Sequence, residues 1–278
     1  MSLTLRFWGT RGSIPSPGPT TVRYGGNTPC IELRTADGWL IILDAGTGIR
    51  ELGRSLIQRA QGATVEGDIF LTHAHWDHIQ GIPFFRPAYD PTSTLRLYGP
   101  TQHQPLRELL GLGMDDPFFP VDLDGLPVNL EIHEVESGSR RIVGPYTVSA
   151  TTIFHPAPAL AYRIEADGKA VVYATDTEDA FSGTSNPVIA LARNADALIH
   201  DAQFLDEDFK PGWGHSTVAK AIEIAAEANA KRLVLYHHDP DRSDDQLDQI
   251  GADAQRSADA LGNGLQVIVA REGMELAV

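Results

Sequence analysis

Three histidines and one aspartate lie within six consecutive residues in the first third of the chain. Residues 72–78 read Thr-His-Ala-His-Trp-Asp-His, which places imidazoles at His73, His75 and His78 and a carboxylate at Asp77. Imidazole nitrogen and carboxylate oxygen without thiolate suit zinc, manganese or iron, and the ligand types alone leave that choice open. The segment therefore predicts a metal site. The alternative is a cluster of surface histidines at a strand end.

The predicted strand before this segment explains how one metal could be held. Side chains two residues apart at a strand end point to the same side, so one ion could take both His73 and His75. If the chain then turns into a helix, Asp77 and His78 project near the same cavity and could bind a second ion. Two ions held by this segment alone would lack ligands, so the rest of the chain must supply more.

Candidates for the missing ligands follow other predicted strands. His155, Asp176 and the pair His237 and His238 each come after a run of apolar or β-branched residues. Strand ends that all carry His or Asp indicate convergence on one edge of the sheets, which histidines packed in a core would not show. The sequence thus predicts a site assembled from distant parts of the chain.

The elements that must position these residues are strands in both halves of the chain with helices between them. Runs of β-branched and aromatic residues bounded by Gly, Pro and Asp predict strands at 3–8, 30–35, 39–44, 68–72, 95–98, 130–135, 146–154, 159–165, 170–174, 197–201, 232–237 and 266–270. Apolar residues at helical spacing predict helices at 49–60, 188–193, 218–225 and 244–260. This order predicts an α/β fold in which two mixed sheets pack face to face with the helices outside.

Length and composition limit the classes of function. The 278 residues suit one large domain over 1–278 rather than two small ones. A total of 22 Lys and Arg against 37 Asp and Glu gives a net charge of −15, which disfavours a large nucleic-acid footprint. The single cysteine, Cys30, cannot form an internal disulfide, and neither a signal segment nor an apolar run long enough to cross a bilayer is found. These features predict a cytoplasmic protein without membrane contact.

The motifs resemble those of the metallo-β-lactamase superfamily, whose His-x-His-x-Asp-His motif is matched in full by residues 73–78. Residues 7–15, Phe-Trp-Gly-Thr-Arg-Gly-Ser-Ile-Pro, and residues 43–48, Leu-Asp-Ala-Gly-Thr-Gly, are similar to the first two motifs of its ribonuclease Z-like phosphodiesterase branch. The resemblance extends over nearly the whole chain. It implies an αββα sandwich and a hydrolase with two divalent metal ions, zinc being the first expectation and manganese or iron the alternatives.

The resemblance also implies a set of metal ligands, three for each ion and one shared. These are His73, His75 and His155 for one ion, Asp77, His78 and His237 for the other, and Asp176 as the bridge. His238 stays open as an alternative to His237. Asp44 is expected behind the metal loop, where it would accept hydrogen bonds rather than bind metal.

A catalytic role is expected for two residues. His215, in the Gly-His-Ser-Thr segment at 214–217, resembles the further histidine of the branch, which stabilises or protonates the leaving group. Without the resemblance, the same segment would be interpreted as a helix start with Ser216 as the cap. Asp77 is expected to orient a hydroxide shared by the two ions and to take its proton.

Further polar residues carry weaker expectations. Asp201 is expected to support the site from behind the ligands, and His200 is either a buried structural residue or a second support. Arg11 is either a phosphate contact or a solvated loop residue. His103 and His133 lie outside the motifs and are interpreted as structural.

The spacing between His155 and Asp176 departs from ribonuclease Z proper. That enzyme inserts a long basic arm there to grip tRNA, whereas here Asp176 follows His155 by only 21 positions, which two predicted strands of a hairpin fill. Together with the acidic net charge, this disfavours tRNA and favours a small phosphodiester such as a cyclic nucleotide or a phosphoribosyl cyclic phosphate. The alternatives are a carbonyl-ester hydrolase, either a lactonase or a thioesterase, and a non-catalytic metal- or ligand-binding member. The resemblance also makes a homodimer the candidate assembly.

Overall fold

The strands and helices alternate along the whole chain in the computed structural model, which describes residues 3–101, 103–179 and 186–278. The strands are β1 Thr4–Gly9, β2 Cys30–Arg34, β3 Leu40–Leu43, β4 Glu66–Phe70, β5 Thr94–Pro100, β6 Asn129–Val135, β7 Arg140–Val143, β8 Tyr146–Thr152, β9 Leu160–Ala166, β10 Lys169–Ala174, β11 Ala197–Asp201, β12 Arg232–Tyr236, β13 Gln266–Val269 and β14 Glu275–Ala277. The α-helices are α1 Gly48–Ala60, α2 Trp76–Ile79, α3 Leu106–Leu112, α4 Pro187–Leu191, α5 Val218–Glu227 and α6 Asp244–Ala260, and two short 3₁₀ helices span Ile82–Phe84 and Arg86–Tyr89.

The strands form two seven-stranded sheets. One has the order β14-β1-β2-β3-β4-β5-β6 and the other the order β13-β12-β11-β10-β9-β8-β7. Strands β3 to β6 are parallel in the first sheet and β10 to β13 in the second, whereas the remaining pairs are antiparallel. The predicted mixed sheets are therefore confirmed.

Three apolar clusters separate four layers of structure. The first lies between the sheets and includes Phe7, Phe70 and Tyr162. The second packs α4, α5 and α6 on the outer face of one sheet, and the third packs α1 and α3 on the outer face of the other. Because each helix buries one apolar stripe against a sheet, the helices lie outside as predicted.

Strand ends differ from the sequence prediction where the chain leaves the sheet for the polar segments. β4 ends at Phe70 rather than at residue 72, and β8 ends at Thr152 rather than at 154. His73 and His155 therefore follow their strands by three residues and lie on loops, so strand alternation does not set the direction of their side chains. The prediction that His73 and His75 project from a strand end was wrong for this reason.

Several short elements were not predicted. α3, β7 and β14 have seven residues or fewer, and the side chains of β7 are largely exposed. These elements are therefore too short to show a repeating pattern of apolar residues in the sequence. Within the described parts of the chain, no helix has both the length and the apolar character needed to cross a membrane.

Candidate metal centre

The polar residues singled out from the sequence gather at the carboxyl ends of parallel strands. Asp44 follows β3, the segment 71–78 follows β4, and Asp176 follows β10. Asp201 ends β11, and His237 follows β12. In open α/β sheets, the crevice outside the carboxyl ends of the strands is where ligands bind. The two sheets bring these ends to a single place.

The first group of candidate ligands combines the metal loop with two distant residues. His73, His75, His155 and Asp176 each offer one ligand atom, and these atoms all lie within 4.8 Å of one another. The ring centroid of His73 lies 4.4 Å from that of His75 and 4.6 Å from that of His155. His73 is buried but His75 is exposed, so this group opens to solvent on the His75 side.

The second group shares Asp176 with the first. Asp77, His78, Asp176 and His237 also place one ligand atom each within 4.8 Å of one another. Oδ1 of Asp176 lies 3.2 Å from Nε2 of His78 and 3.1 Å from Nε2 of His237. Asp176 thus has the position that a residue bridging two ions would occupy.

The hydrogen bonds made by Nδ1 of two candidate ligands, on the side of each ring that faces away from the site, fit a cation bound by Nε2. Nδ1 of His78 lies 2.8 Å from Asp44 Oδ2, and Nδ1 of His237 lies 3.0 Å from Gln203 Oε1, so both rings donate from Nδ1 and turn Nε2 towards the other candidate ligands. Nε2 of His73 is buried without a hydrogen-bond partner among the described residues, and Nε2 of His78 faces Asp176 and Asp77 at 3.2 and 3.3 Å without the geometry of a hydrogen bond. Buried nitrogens of this kind fit a metal ligand.

Asp44 holds the metal loop through four hydrogen bonds. Its carboxylate accepts from Thr72 N at 2.8 Å, from the Thr72 hydroxyl at 2.9 Å and from the Tyr173 hydroxyl at 2.8 Å, besides the bond from His78. These donors surround both oxygens, so Asp44 orients His78 instead of binding metal.

A third group consists of Asp176, Asp201, His215 and His237, again with ligand atoms within 4.8 Å. Asp201 is already saturated, because Oδ1 accepts from the amides of Gln203 and Ser216 and Oδ2 accepts from the Asp176 amide and from His215 Nδ1 at 2.9 Å. Asp201 therefore supports the site rather than binding an ion. His215 is fixed on the Asp201 side and stacks on His237 at a centroid distance of 5.0 Å.

The electrostatics favour cations among these ligands. Burial lowers the pKa of His73 well below its usual value, which keeps the ring neutral. Burial also acts to lower the pKa of His78, but the carboxylates of Asp176, Asp77 and Asp44 outweigh it and raise that pKa. Burial acts to raise the pKa of Asp176, but His237 and His78 outweigh burial and lower that pKa well below its usual value, so the carboxyl stays ionised. Ionised carboxylates and imidazole nitrogens are the forms that bind metal.

His215 has the opposite electrostatic character from His155. Burial lowers the pKa of His155. Burial acts in the same direction on His215, but the Asp201 carboxylate, followed by Asp176 and Asp77, raises its pKa to about 9. His215 is therefore an imidazolium near neutral pH in this setting, and it can donate a proton.

Three of the site residues have a left-handed backbone. Asp44, Asp176 and His237 have φ angles of 57°, 50° and 59°. Non-glycine residues adopt this region at an energetic cost, which is tolerated where the surroundings fix the conformation and which is frequent at functional sites. Gly12 is required next to His237, since a Cβ there would lie 2.4 Å from Nδ1 and displace the bond to Gln203.

The loop before His215 is tied down by a buried carboxylate that the sequence analysis did not single out. Glu178 accepts from the amide of Gly212 at 2.9 Å and from the amide of Gly214 at 3.0 Å. Gly214, with a φ of 83°, lies against His155, where a Cβ would come within 2.4 Å of the ring. Glu178 thus fixes the backbone between one candidate ligand and His215.

Several expectations from the sequence need correction. Arg11 is neither solvated nor open to a phosphate, because its buried guanidinium donates to the carbonyl oxygens of Gly25, Asp239 and Arg242. The cap of α5 is Thr217, whose side chain accepts from the Lys220 amide, and not Ser216.

The remaining histidines lie outside the three groups. His238 points away, with Nε2 2.8 Å from the Ala270 carbonyl oxygen, and burial lowers its pKa to about 3. His200 is buried in β11 with Nδ1 2.8 Å from the Asp201 carbonyl oxygen. His103 and His133 are distant from the site in the sequence, and neither belongs to a described group of candidate ligands.

Residues missed by the sequence analysis are those that orient ligands. Gln203, Tyr173 and Glu178 contact His237, Asp44 and the loop before His215, respectively. Gln203 and Glu178 each lie two positions after an acidic site residue, which is the one signal that could have drawn attention to them.

The comparison with protein families gives one match over most of the chain. The family model described as "Beta-lactamase superfamily domain" matches residues 40–238. That range includes every candidate ligand and His215.

Relatives and solved structures agree with this match. Ribonuclease Z of Natronomonas pharaonis is 29% identical, over 85% of this chain and 87% of that protein. The short form of human tRNase Z is similar with a TM-score of 0.68 and 22% identity, over 99% of each chain. A diphosphatase from the PhnP family has a TM-score of 0.69 and 21% identity, over 99% of this chain and 98% of that one. At these identities the two structures establish the shared fold, and the predicted αββα sandwich is confirmed.

Proposed function

The chain belongs to the beta-lactamase superfamily, and we propose that it is a phosphodiesterase that acts on small or cyclic phosphodiesters with two divalent metal ions. It is a metal-dependent hydrolase, and the proposal adds a small phosphodiester as substrate and a second metal ion. The observation that carries the proposal is the Asp201–His215 pair, whose 2.9 Å bond lies beside two overlapping groups of candidate ligands.

The residues would divide between the ions in the way the sequence motifs imply. His73, His75 and His155 would hold one ion, Asp77, His78 and His237 would hold the other, and Asp176 would bridge them. Zinc is the first expectation for both. When bound, such ions lower the pKa of a water molecule from about 15.7 towards 7 and polarise the phosphoryl oxygens of the substrate.

His215 would serve the leaving group. Asp201 accepts the hydrogen bond from Nδ1 of His215 and stabilises the imidazolium form, in which Nε2 also carries a proton. That proton can pass to the leaving oxygen as the ester bond breaks. A positioned general acid of this kind typically contributes roughly 10² to 10⁴ in rate. Departure of an alkoxide from a phosphodiester is a step that needs such a residue.

Asp77 would receive the proton of the attacking water. Its Oδ2 accepts from the Ser13 amide at 2.8 Å and lies 3.2 Å from Nε2 of His237, so the carboxylate is fixed in orientation. His78 and then His237 outweigh burial and lower the pKa of Asp77, which keeps the carboxylate ionised. Burial alone would raise that pKa.

A small diester fits this chain better than tRNA does. The relatives named ribonuclease Z act on RNA, but the segment where ribonuclease Z proper carries its tRNA-gripping arm is here the hairpin of β9 and β10, joined at Ala166 and Lys169. The net charge of −15 also opposes a large phosphate-backbone footprint.

A substrate comparison tests the proposal. Metal-loaded protein is given bis(p-nitrophenyl) phosphate, cyclic nucleotides, a pre-tRNA, a lactone and a thioester, and kcat/KM is measured for each. The proposal expects turnover of the small phosphodiesters and a lower kcat/KM for the others. A higher kcat/KM for the lactone or thioester would indicate a carbonyl-ester hydrolase instead of a phosphodiesterase. A higher kcat/KM for the pre-tRNA would indicate a tRNA-processing enzyme. The absence of turnover with every substrate would indicate a binding protein.

A further inference from the structure

An apolar groove is lined in part by residues of the metal loop and by none of the candidate ligands. Its volume is about 630 Å³, within the range of small-molecule sites. Ala74 and Trp76, which alternate with the ligands His75 and Asp77 along the chain, form its end nearest the metal centre. The opposite wall comes from α3 and the segment after it, including Leu112 and Phe118.

The chemistry of the lining is uniform. None of the described residues that line the groove carries a charge, although the chain as a whole has a net charge of −15. The lining is aliphatic and aromatic except for Gln80, whose amide already donates to the Thr28 hydroxyl at 3.3 Å. A nucleobase bound there would leave most of the polar edge of its ring without side-chain partners, which is unfavourable.

The apolar side chains at the rim are left in water. Trp76 and Phe118 are each 77% exposed, and Leu112 is 62% exposed. Exposed apolar surface gathered around a concave site marks a place that a ligand or partner covers. The continuity of this surface with the metal loop favours an occupant that is attached to the reacting group.

We propose that the groove binds an apolar ester group of the phosphodiester, either a hydrocarbon chain or an aryl ring, while the phosphate lies at the metal centre. This inference rests on the proposed function and narrows it, because it favours a diester with an apolar substituent over a cyclic nucleotide. Leu112 and Phe118 contribute to substrate specificity in this account.

A homologous series of substrates tests the inference. Methyl, butyl and hexyl p-nitrophenyl phosphates share one leaving group and differ only in the length of the alkyl ester. Each fully buried methylene is worth about 0.8 kcal/mol, or about fourfold in affinity, so kcat/KM is expected to rise by roughly 60-fold from the methyl to the butyl ester, which adds three methylenes, and to rise further for the hexyl ester. The charged variant Leu112→Asp is expected to remove most of this rise.

A matched variant controls for the charge that is introduced. Leu261→Asp places the same substitution at a leucine that is 51% exposed at the end of α6 and is absent from the lining of the groove. The length dependence is expected to be unchanged in Leu261→Asp. Equal loss of the rise in both variants would contradict a local role of the groove.

A binding measurement gives a result that does not depend on turnover. The neutral fluorescent probe N-phenyl-1-naphthylamine is expected to bind the wild-type protein, to be displaced by hexylphosphonate and not by methylphosphonate, and to bind Leu112→Asp at least tenfold more weakly. Sedimentation velocity on the same proteins reports whether a second copy of the chain covers the groove instead.

The outcomes separate this inference from the proposed function. Hydrolysis of all three esters at equal kcat/KM overturns the inference and leaves the phosphodiesterase standing. Conversion of a dimer to a monomer by Leu112→Asp, with no length dependence, overturns it in favour of a self-association surface. A metal-loaded protein that hydrolyses none of the series contradicts the proposed function itself, and the inference falls with it.

Discussion

The candidate ligands are oriented by what touches the nitrogen or oxygen that faces away from the metal centre. Asp44 holds His78, and Gln203 holds His237, each through Nδ1. Such contacts fix the tautomer of a ligating imidazole and raise its basicity. They join residues that are 34 positions apart in both cases, so no local pattern in the sequence reveals the pairing.

Asp44 gives a direct test of this support. In Asp44→Asn, one carboxylate oxygen becomes an NH₂ group, which cannot accept the hydrogen bonds that Asp44 now accepts from Thr72, Tyr173 and His78. His78 therefore loses its hydrogen-bond partner or its orientation. The affinity for metal is expected to fall by about 10- to 100-fold, as measured by competition with a chromophoric chelator.

The matched control is Asp68→Asn, because Asp68 is equally buried and accepts from the Tyr146 hydroxyl at 2.8 Å and from Arg96, outside the described ligand groups. It should destabilise the fold without changing metal affinity. Equal affinity in Asp44→Asn and the wild type would show that the carboxylate does not act through His78.

His215 is the residue on which the phosphodiesterase proposal depends. His215→Ala removes the proton donor but none of the seven proposed ligands, so kcat on a cyclic nucleotide, whose leaving group is an alkoxide, is expected to fall by roughly 10² to 10⁴ with metal content unchanged. His103→Ala, at an exposed position outside the site, is the control. Full activity in His215→Ala would remove this residue from the reaction, and loss of metal would make it a ligand.

At the scale of elements, the strands that lead to the site were predicted correctly, whereas the residues at which some of them end were not. The predicted runs before Asp44, Asp176 and Asp201 all became strands whose carboxyl ends meet. The end of β8 was placed two residues too late, since residues 153 and 154 continue the β-branched and aromatic pattern although the strand has stopped. Propensity describes side chains, whereas the end of a strand is set by where its partner stops pairing.

The loop at 210–214 shows how an element can be held by one side chain. Glu178 binds the amides of Gly212 and Gly214 and is itself buried. In Glu178→Ala both amides lose their acceptor, so their hydrogen exchange is expected to accelerate by about tenfold or more, and kcat to fall as His215 loses its fixed position. Exchange is measured by mass spectrometry on peptides covering 205–217.

Glu178→Gln keeps one carbonyl oxygen and should give an intermediate exchange rate. Glu223→Ala, at an exposed residue of α5, controls for removal of a carboxylate and should leave the loop unchanged. Unaltered exchange at Gly212 and Gly214 in Glu178→Ala would mean that other contacts hold the loop.

At the scale of the whole molecule, the first half of the chain supplies six strands of one sheet, the second half supplies the other sheet and the edge strand β14, and each half supplies a share of the candidate ligands. The segment 73–78 comes from the first sheet, and His155, Asp176 and His237 come from the second. Alternating strands and amphipathic helices were enough to predict this layered arrangement. The groove between the metal loop and α3 was not predicted, because it depends on how a short helix packs after a turn.

In the same arrangement, metal ions held by the candidate ligands would join the two sheets. Asp77 and Asp176 are buried carboxylates next to each other, and ions bound between them would offset their repulsion. Since ions that bind only the folded state stabilise it by about 2.7 kcal/mol at 100 times Kd, removal of metal by a chelator is expected to lower Tm by roughly 5–10 °C. Differential scanning calorimetry checks the value, and added zinc should restore it. An unchanged Tm would mean that the ligand groups are stable without cations.

Anomalous X-ray diffraction at the absorption edge of the bound metal tests the central claim most directly. Crystals of protein purified without added metal are expected to show two peaks, one among His73, His75 and His155 and one among Asp77, His78 and His237, with Asp176 in contact with both. A single peak, a peak elsewhere or no peak in protein that has been supplied with zinc would contradict the account.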